Sequence, residues 1–289
     1  MTATARPTVP FPVTAVTRLL GEVISWTCTG VTVTHAALVA ALSAARLDAG
    51  VARELAPRHA FTRACKKLSD QRIIRQVGED ESSLRFQFTH ESRAGDKFEY
   101  ELETMLTLDK RTGTVTCDLP GLATLAQEQL DRALDARTGS DVTRVIQKLF
   151  DRHADLFPIR PQGGCYFIPE RHAAFVDQVQ GFLGQIDGQV LRFPVPAGTG
   201  EGDRSVKEAV ASGLATLIAD HQAAVDSFGD DTRPETIARA AERIKLTRFK
   251  VESYAALLAD EKDRLDRALQ STATRLRAKV AILAEPASV

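Results

Sequence analysis

The sequence predicts an α+β fold on three observations: helical segments give way near residue 72 to strands with period-two alternation, a smaller mixture of helix and strand follows, and the chain closes on a long heptad-spaced helical pattern. At 289 residues and 44% hydrophobic, the chain is long enough for more than one core. The predicted division is an arm over 1–12, a domain over 13–120 with an extended strand meander, a small α+β domain over 121–196, and a helical hairpin over 204–285.

Met1 to Pro12 is rich in Thr and Pro with a single Arg and reads as a loose arm rather than a targeting peptide. Val13 to Val33 stays open between two readings: Val16, Leu19, Leu20 and Val23 suit a helix, whereas Ile24 to Val33 is β-branched and alternates like a strand. Thr34 stands where an N-cap belongs, ahead of a helix carrying Leu38, Val39, Leu42 and Leu47, and Asp48 to Leu55 adds a short helical turn. Pro57 suits the first position of a third helix, which runs to about Asp70 with Phe61, Ala64, Cys65 and Leu68 on one face. Arg72 to Val77 and Leu84 to Thr89 then form a hairpin about the polar turn Gly78 to Ser83, and the alternation continues through Phe98, Tyr100, Leu102, Leu106 and Leu108 to Thr114–Cys117.

The stretch Lys66-Lys67-Leu68-Ser69-Asp70-Gln71-Arg72-Ile73-Ile74-Arg75-Gln76-Val77 resembles the junction between recognition helix and first wing strand in winged-helix DNA-binding domains. There a helix ending in leucine is followed by a polar turn and then an apolar pair. The resemblance spans Thr34 to Thr89 and is one of element order; it implies a winged-helix-like domain with an extended wing and a recognition helix over Pro57 to Asp70.

Further along, helices are predicted over Leu122 to Ala136 and Val142 to Ala154, short strands over Leu156 to Ile159 and Cys165 to Ile168, a helix from Pro169 to about Ile186, and a strand over Gln189 to Val195. Val195 to Asp203, rich in Gly and Pro, reads as a linker. Val206, Val210, Leu214, Leu217, Ile218 and Val225 form one helical stripe. A break at Phe228 to Asp231 then leads to a helix predicted to run unbroken from Pro234 to Leu283. Its Ile237, Ile244, Val251, Leu258 and Leu265 fall at seven-residue spacing, followed by Leu269, Leu276, Val280 and Leu283. Such a helix spans about 75 Å against about 36 Å for its partner arm, so self-association through Ile237, Ile244, Val251, Leu258, Leu265, Leu269 and Leu276, or a protein partner, is expected to cover the overhang.

Charge is balanced, 37 basic against 38 acidic residues, so an electrostatic role has to come from clustering. Val51 to Gln76 is the strongest cluster, with seven cations against Glu54 and Asp70. With Phe61, Cys65 and Leu68 facing inward, helical spacing turns His59, Thr62, Arg63 and Lys66 outward, flanked by Arg58 and Lys67, and Arg72 and Arg75 follow. Side chains of these types suit phosphates and guanine edges of double-stranded DNA. The alternative is a solvated basic face. The tip Glu79-Asp80-Glu81 is acidic and unsuited to a minor groove.

Other chemistries find little purchase. Glu99, Glu101 and Glu103 make an acidic outward surface opposite Phe98, Tyr100 and Leu102, which are expected in the core, and this argues against an RNA-binding sheet. Cys28, Cys65, Cys117 and Cys165 have no paired spacing and read as free packing thiols; Cys165 with His172 is the best nucleophilic pair and lacks an oxyanion partner. His153-Ala154-Asp155 follows a helix end and reads as a dipole interaction. Ala197 to Asp203 resembles a phosphate loop superficially, with acids where a cation belongs. The expectation is a cytoplasmic, non-enzymatic DNA-binding protein without cofactor, metal or membrane span. The alternative is a structural or adaptor protein that docks protein partners.

Overall fold

The computed structural model describes residues 18–69, 72–94, 97–160, 162–229, 231–259 and 261–284, so the arm over 1–12, Val16, Asp70 and the side chain of Leu283 lie outside the described residues. The described part of the open segment, from residue 18, holds two strands: β1 (Leu19–Thr27) and β2 (Thr32–Thr34). α1 (His35–Ala44) begins where the Thr34 hydroxyl oxygen accepts the Ala37 amide at 3.1 Å, satisfying a donor that the first helical turn leaves without a partner. After a 3-10 turn over Ala49–Val51 comes α2 (Pro57–Lys67). It stops short of Asp70 because the Leu68 amide tightens onto the Cys65 carbonyl.

The meander is β3 (Arg72–Glu79), β4 (Ser83–Ala94), β5 (Lys97–Asp109) and β6 (Val115–Thr116), antiparallel in that order. Then follow α3 (Pro120–Asp135), β7 (Ala136–Thr138) and α4 (Gly139–His153). Next are β8 (Phe157–Pro158), β9 (Tyr166–Pro169), a 3-10 turn over Glu170–His172, α5 (Ala173–Gly184) and β10 (Gln189–Pro196). The last elements are α6 (Gly200–Asp226), α7 (Pro234–Ser253), α8 (Ala255–Leu258) and α9 (Glu261–Ala284). The expected linker is shorter than predicted, because α6 already starts at Gly200. The architecture is α+β with a helical C-terminal region.

The chain divides differently from the consecutive boundaries 13–120, 121–196 and 204–285. Among the described residues, one compact unit joins 18–26, 154–174 and 191–284, and the other joins 27–153 and 175–190. In the second unit, α2 and α3 bury Phe61, Cys65 and Leu130 with Phe86, Phe88 and Leu106 of the sheet. Arg137, 4% exposed, donates to the carbonyls of Leu134, Asp135 and Ala136 and so serves groups at the C-terminal end of α3. β2 pairs with β7, and Gly139 just beyond is required there: a Cβ would fall 2.0 Å from the Cys28 carbonyl oxygen.

In the first unit, the sheet runs β10-β1-β9-β8, and Phe157 and Phe167 share a core with α6, α7, α8 and α9. The predicted continuous helix is not formed. It breaks at Tyr254 and again at Ala259, and α9 folds back on both α6 and α7. Ile244, Val251, Leu258, Leu265, Leu269 and Leu276, expected to meet a second copy, are buried in this one chain's core, with Ile237 packed at its margin. Folding back removes the mismatch in arm length: the three long helices span about 40, 30 and 36 Å at the usual rise per residue. A heptad stripe cannot tell a partner in another chain from one in its own. Val280 remains exposed.

The bend carries local strain, since Ala259 sits at φ 45 and ψ −117, where its Cβ is crowded. Ala259→Gly is expected to stabilise the fold by about 1 kcal/mol, the relieved strain less the added chain entropy of glycine. A thermal melt checks this, and an unchanged or lower midpoint would show the bend to be unstrained.

Candidate interaction surface

The basic cluster on α2 is partly neutralised within its own unit. Arg63 makes a bidentate pair with Asp141 at the start of α4 (2.8 and 2.6 Å), and Arg72 makes another with Glu103 (2.5 and 2.8 Å). Arg58 lies 3.5 Å from Glu79, and the Thr62 hydroxyl donates back to the Arg58 carbonyl. His59, Lys66, Lys67 and Arg75 are exposed, the first three on α2 and Arg75 on β3. Of the predicted DNA-contacting residues, the structure therefore brings Arg63 and Arg72 into bidentate ion pairs, sets Arg58 in a longer one with Glu79, and leaves a smaller exposed set.

Asp141 is the anchor. Burial pushes its carboxyl up, but the Arg63 guanidinium and the Thr138 amide and hydroxyl outweigh that and hold it down at about 2. The acidic tip is committed in a similar way. Lys110 donates to Glu79 at 2.8 Å, and Asp80 accepts from the amides and hydroxyls of Ser82 and Ser83, which hold its carboxyl far below the usual range. These carboxylates shape the β3–β4 turn.

The larger departure lies in β5. Pairing runs Leu84 with Leu108, Phe86 with Leu106 and Phe88 with Thr104, all buried; the next pair is Thr89 with Leu102, so Glu103 is an extra residue. β4 keeps its alternation past this bulge and β5 does not. Leu102, Tyr100 and Phe98, opposite Thr89, Glu91 and Arg93, consequently turn to the face away from the core. They are 60%, 58% and 56% exposed, in line with Met105 at 40%. The expectation that Phe98, Tyr100 and Leu102 fill the core is corrected, and with it the ground for setting exposed aromatics aside. Glu99 and Glu101 take the opposite face beside Ser92 and His90.

The first unit holds a buried ionic cluster that sequence reading missed. Asp155, 5% exposed, accepts from Tyr254 at 2.6 Å, pairs with Lys250 at 2.6 Å and with Arg171, and has His172 Nε2 at 3.3 Å. Burial raises its pKa, yet the bonds from His172, Lys250 and Tyr254 prevail and keep it ionised far below the usual range; burial first, and then the bond to Asp155, pushes the Tyr254 phenol up. Arg171 also stacks over the Tyr254 ring, 4.5 Å from its centroid. The cluster ties the turn after β9 to the end of α7, where the helix breaks. His172 is thus engaged by Asp155, and Cys165 is half-buried. His153, at the end of α4, lies against Phe175. Asp203 accepts the Gly198 amide at 3.1 Å, so the phosphate-loop-like segment is closed on its own acid. Cys28 and Cys65 are buried, Cys117 and Cys165 half-buried, and all four are free; burial pushes the Cys65 thiol up to about 12. Among the described residues no group of His, Cys, Asp and Glu is arranged to hold a metal ion.

A family model described as "Family of unknown function (DUF6744)" matches residues 19–288. The chain belongs to that family. No curated protein and no solved structure matches it. In this DUF6744 chain no helix among the described residues is long and apolar enough to cross a membrane.

Two outcomes follow. Asp141 has its pKa lowered on folding, so its contribution is complete above the unfolded value near pH 4 and is lost as pH falls from there towards about 2, a total of about 2 kcal/mol. Melts between pH 6 and pH 2 are expected to show a shallower acid decline in Asp141→Asn from a lower starting stability; identical declines would mean the pair adds nothing net. Replacing Phe98, Tyr100 and Leu102 together by Ser is expected to leave the melting midpoint within about 2 °C of the parent, since exposed side chains add little to the core. A drop like that of a core substitution would show the row to be structural.

Proposed function

We propose that this chain acts by binding another macromolecule rather than by catalysis, and that it docks a protein partner on the outer face of β4 and β5. The observation that carries this reading is the row Met105, Leu102, Tyr100 and Phe98, four large apolar side chains in line and at least 40% exposed. Contiguous exposed apolar surface costs solubility and marks interaction sites. Leu246 and Phe249, 52% and 71% exposed on α7, offer a second apolar spot in the other unit and keep a protein partner on the C-terminal helices in view. A cytoplasmic setting accords with the free thiols.

A second reading is contact with double-stranded DNA through α2. It is favoured by the exposed His59, Lys66 and Lys67 and by Arg58, whose side chain is 54% exposed. The order of α1, the 3-10 turn, α2 and the β3–β4 hairpin supports the winged-helix resemblance. With Arg63 and Arg72 paired internally, binding of this kind would be weak and strongly dependent on salt.

Two experiments separate the readings. A photoreactive benzoylphenylalanine in place of Tyr100, introduced in cells that make the protein, is expected to give a discrete protein adduct that disappears when Phe98 and Leu102 are changed to Ser. No adduct, or one indifferent to those changes, overturns the first reading. Titration with a mixed-sequence duplex at low salt tests the second, which requires Lys66→Ala with Lys67→Ala to weaken binding.

A further inference from the structure

The β4–β5 arm presents a free edge as well as an apolar face. β5 has β4 on one side, and on the other β6 pairs only with Thr107 and Leu108. From Lys97 to Leu102 every residue is exposed, and among the described residues no strand lies along this side. Six residues in extended geometry make an edge of about 20 Å, the length of an ordinary strand. The edge displays backbone donors and acceptors that another strand can pair with. On β4 the corresponding stretch is shorter, because β3 follows it as far as His90.

We propose that this edge of β5 accepts an extended peptide segment whose side chains alternate apolar and basic, adding a strand to the sheet. The inference rests on the protein-docking reading above and names the chemistry of the partner. The bulge at Glu103 separates the two faces of the arm by character: Phe98, Tyr100 and Leu102 on one, Glu99 and Glu101 on the other with Lys97 at its end. A strand laid beside β5 places alternate side chains next to each set. Apolar groups extend the first row, and Lys or Arg meets the two carboxylates.

The same pattern disfavours a second copy of the chain. An antiparallel copy aligned over Phe98 to Leu102 sets Glu99 against Glu101 twice, and one shifted by two residues sets Lys97 against Glu101 but Glu99 against itself; like charges directly opposite one another destabilise a ladder. The chain's own first 17 residues are a poor fit: Pro7, Pro10 and Pro12 donate no ladder bond, and Arg6 is the single basic residue among them, so they carry no basic alternation. A foreign segment remains.

The test uses the full chain and a fluorescent ten-residue peptide alternating valine and lysine, followed by anisotropy. Controls are the valine and glutamate counterpart and the lysine peptide N-methylated at two adjacent central amides, which blocks a ladder bond whichever edge it presents. The lysine peptide is expected to bind, its N-methylated form about tenfold more weakly or worse, and the glutamate peptide not at all. Glu99→Gln with Glu101→Gln is expected to weaken binding about fivefold. Equal binding of the N-methylated peptide overturns strand addition while leaving docking on the apolar face in place. Binding indifferent to the two glutamine changes overturns the basic alternation. No binding of the lysine peptide overturns the proposal, and the Tyr100 adduct then decides separately whether the docking reading survives.

Discussion

One extra residue in one strand determines which side of the β3–β6 sheet is wet. Without Glu103 out of step, the even positions of β5 would stay on the core side from Leu108 to Phe98, and the odd positions would present only acids, Thr107 and Met105. With it, the strand serves two purposes: its later half seals the core beneath α2 and α3, and its earlier half turns apolar side chains outward where no core exists to receive them. Arg72 holds the bulged Glu103 in a bidentate pair. A residue of the basic cluster therefore pins the feature that generates the apolar face, so the two candidate surfaces are linked in origin.

Ionic pairing recurs in the other unit with a different purpose. Asp155 is nearly inaccessible and is met by three basic side chains and a phenol, so its charge is compensated from several directions. Removing one partner of such a buried set leaves a charge without full compensation, which is why these groups constrain geometry more than they add stability. Here the groups meet at the end of α7, a few residues ahead of the bend that leads into α9.

Much of this was legible in advance. Thr34 as a cap, Pro57 at a helix start, and the strand alternation of residues 84–88 depend on neighbours within a few positions, and local chemistry placed them well. The failures share a cause. The heptad stripe from Ile237 reads as continuous because nothing local at Tyr254 or Ala259 marks a break; neither is Gly or Pro, and the partner that Tyr254 bonds, Asp155, lies nearly a hundred residues earlier. The alternation puts Phe98 and Tyr100 inside because a bulge leaves no trace in an alternating pattern; only the pairing register exposes it. Arg63 looked free because Asp141, which binds it, is distant in sequence. The Asp155 cluster was invisible for the same reason, its members being scattered between residues 155 and 254.

The interleaving of the two compact units has a consequence for inheritance. The backbone passes from one to the other near residues 26, 153, 174 and 190, so each is assembled from separated stretches of gene. Neither can be copied into another protein as a cassette, and a premature stop codon anywhere before α9 deprives the first unit of a helix that its core requires, while a deletion within residues 154–174 also shortens the span joining two parts of the second. Such a chain is expected to be gained, lost and duplicated whole.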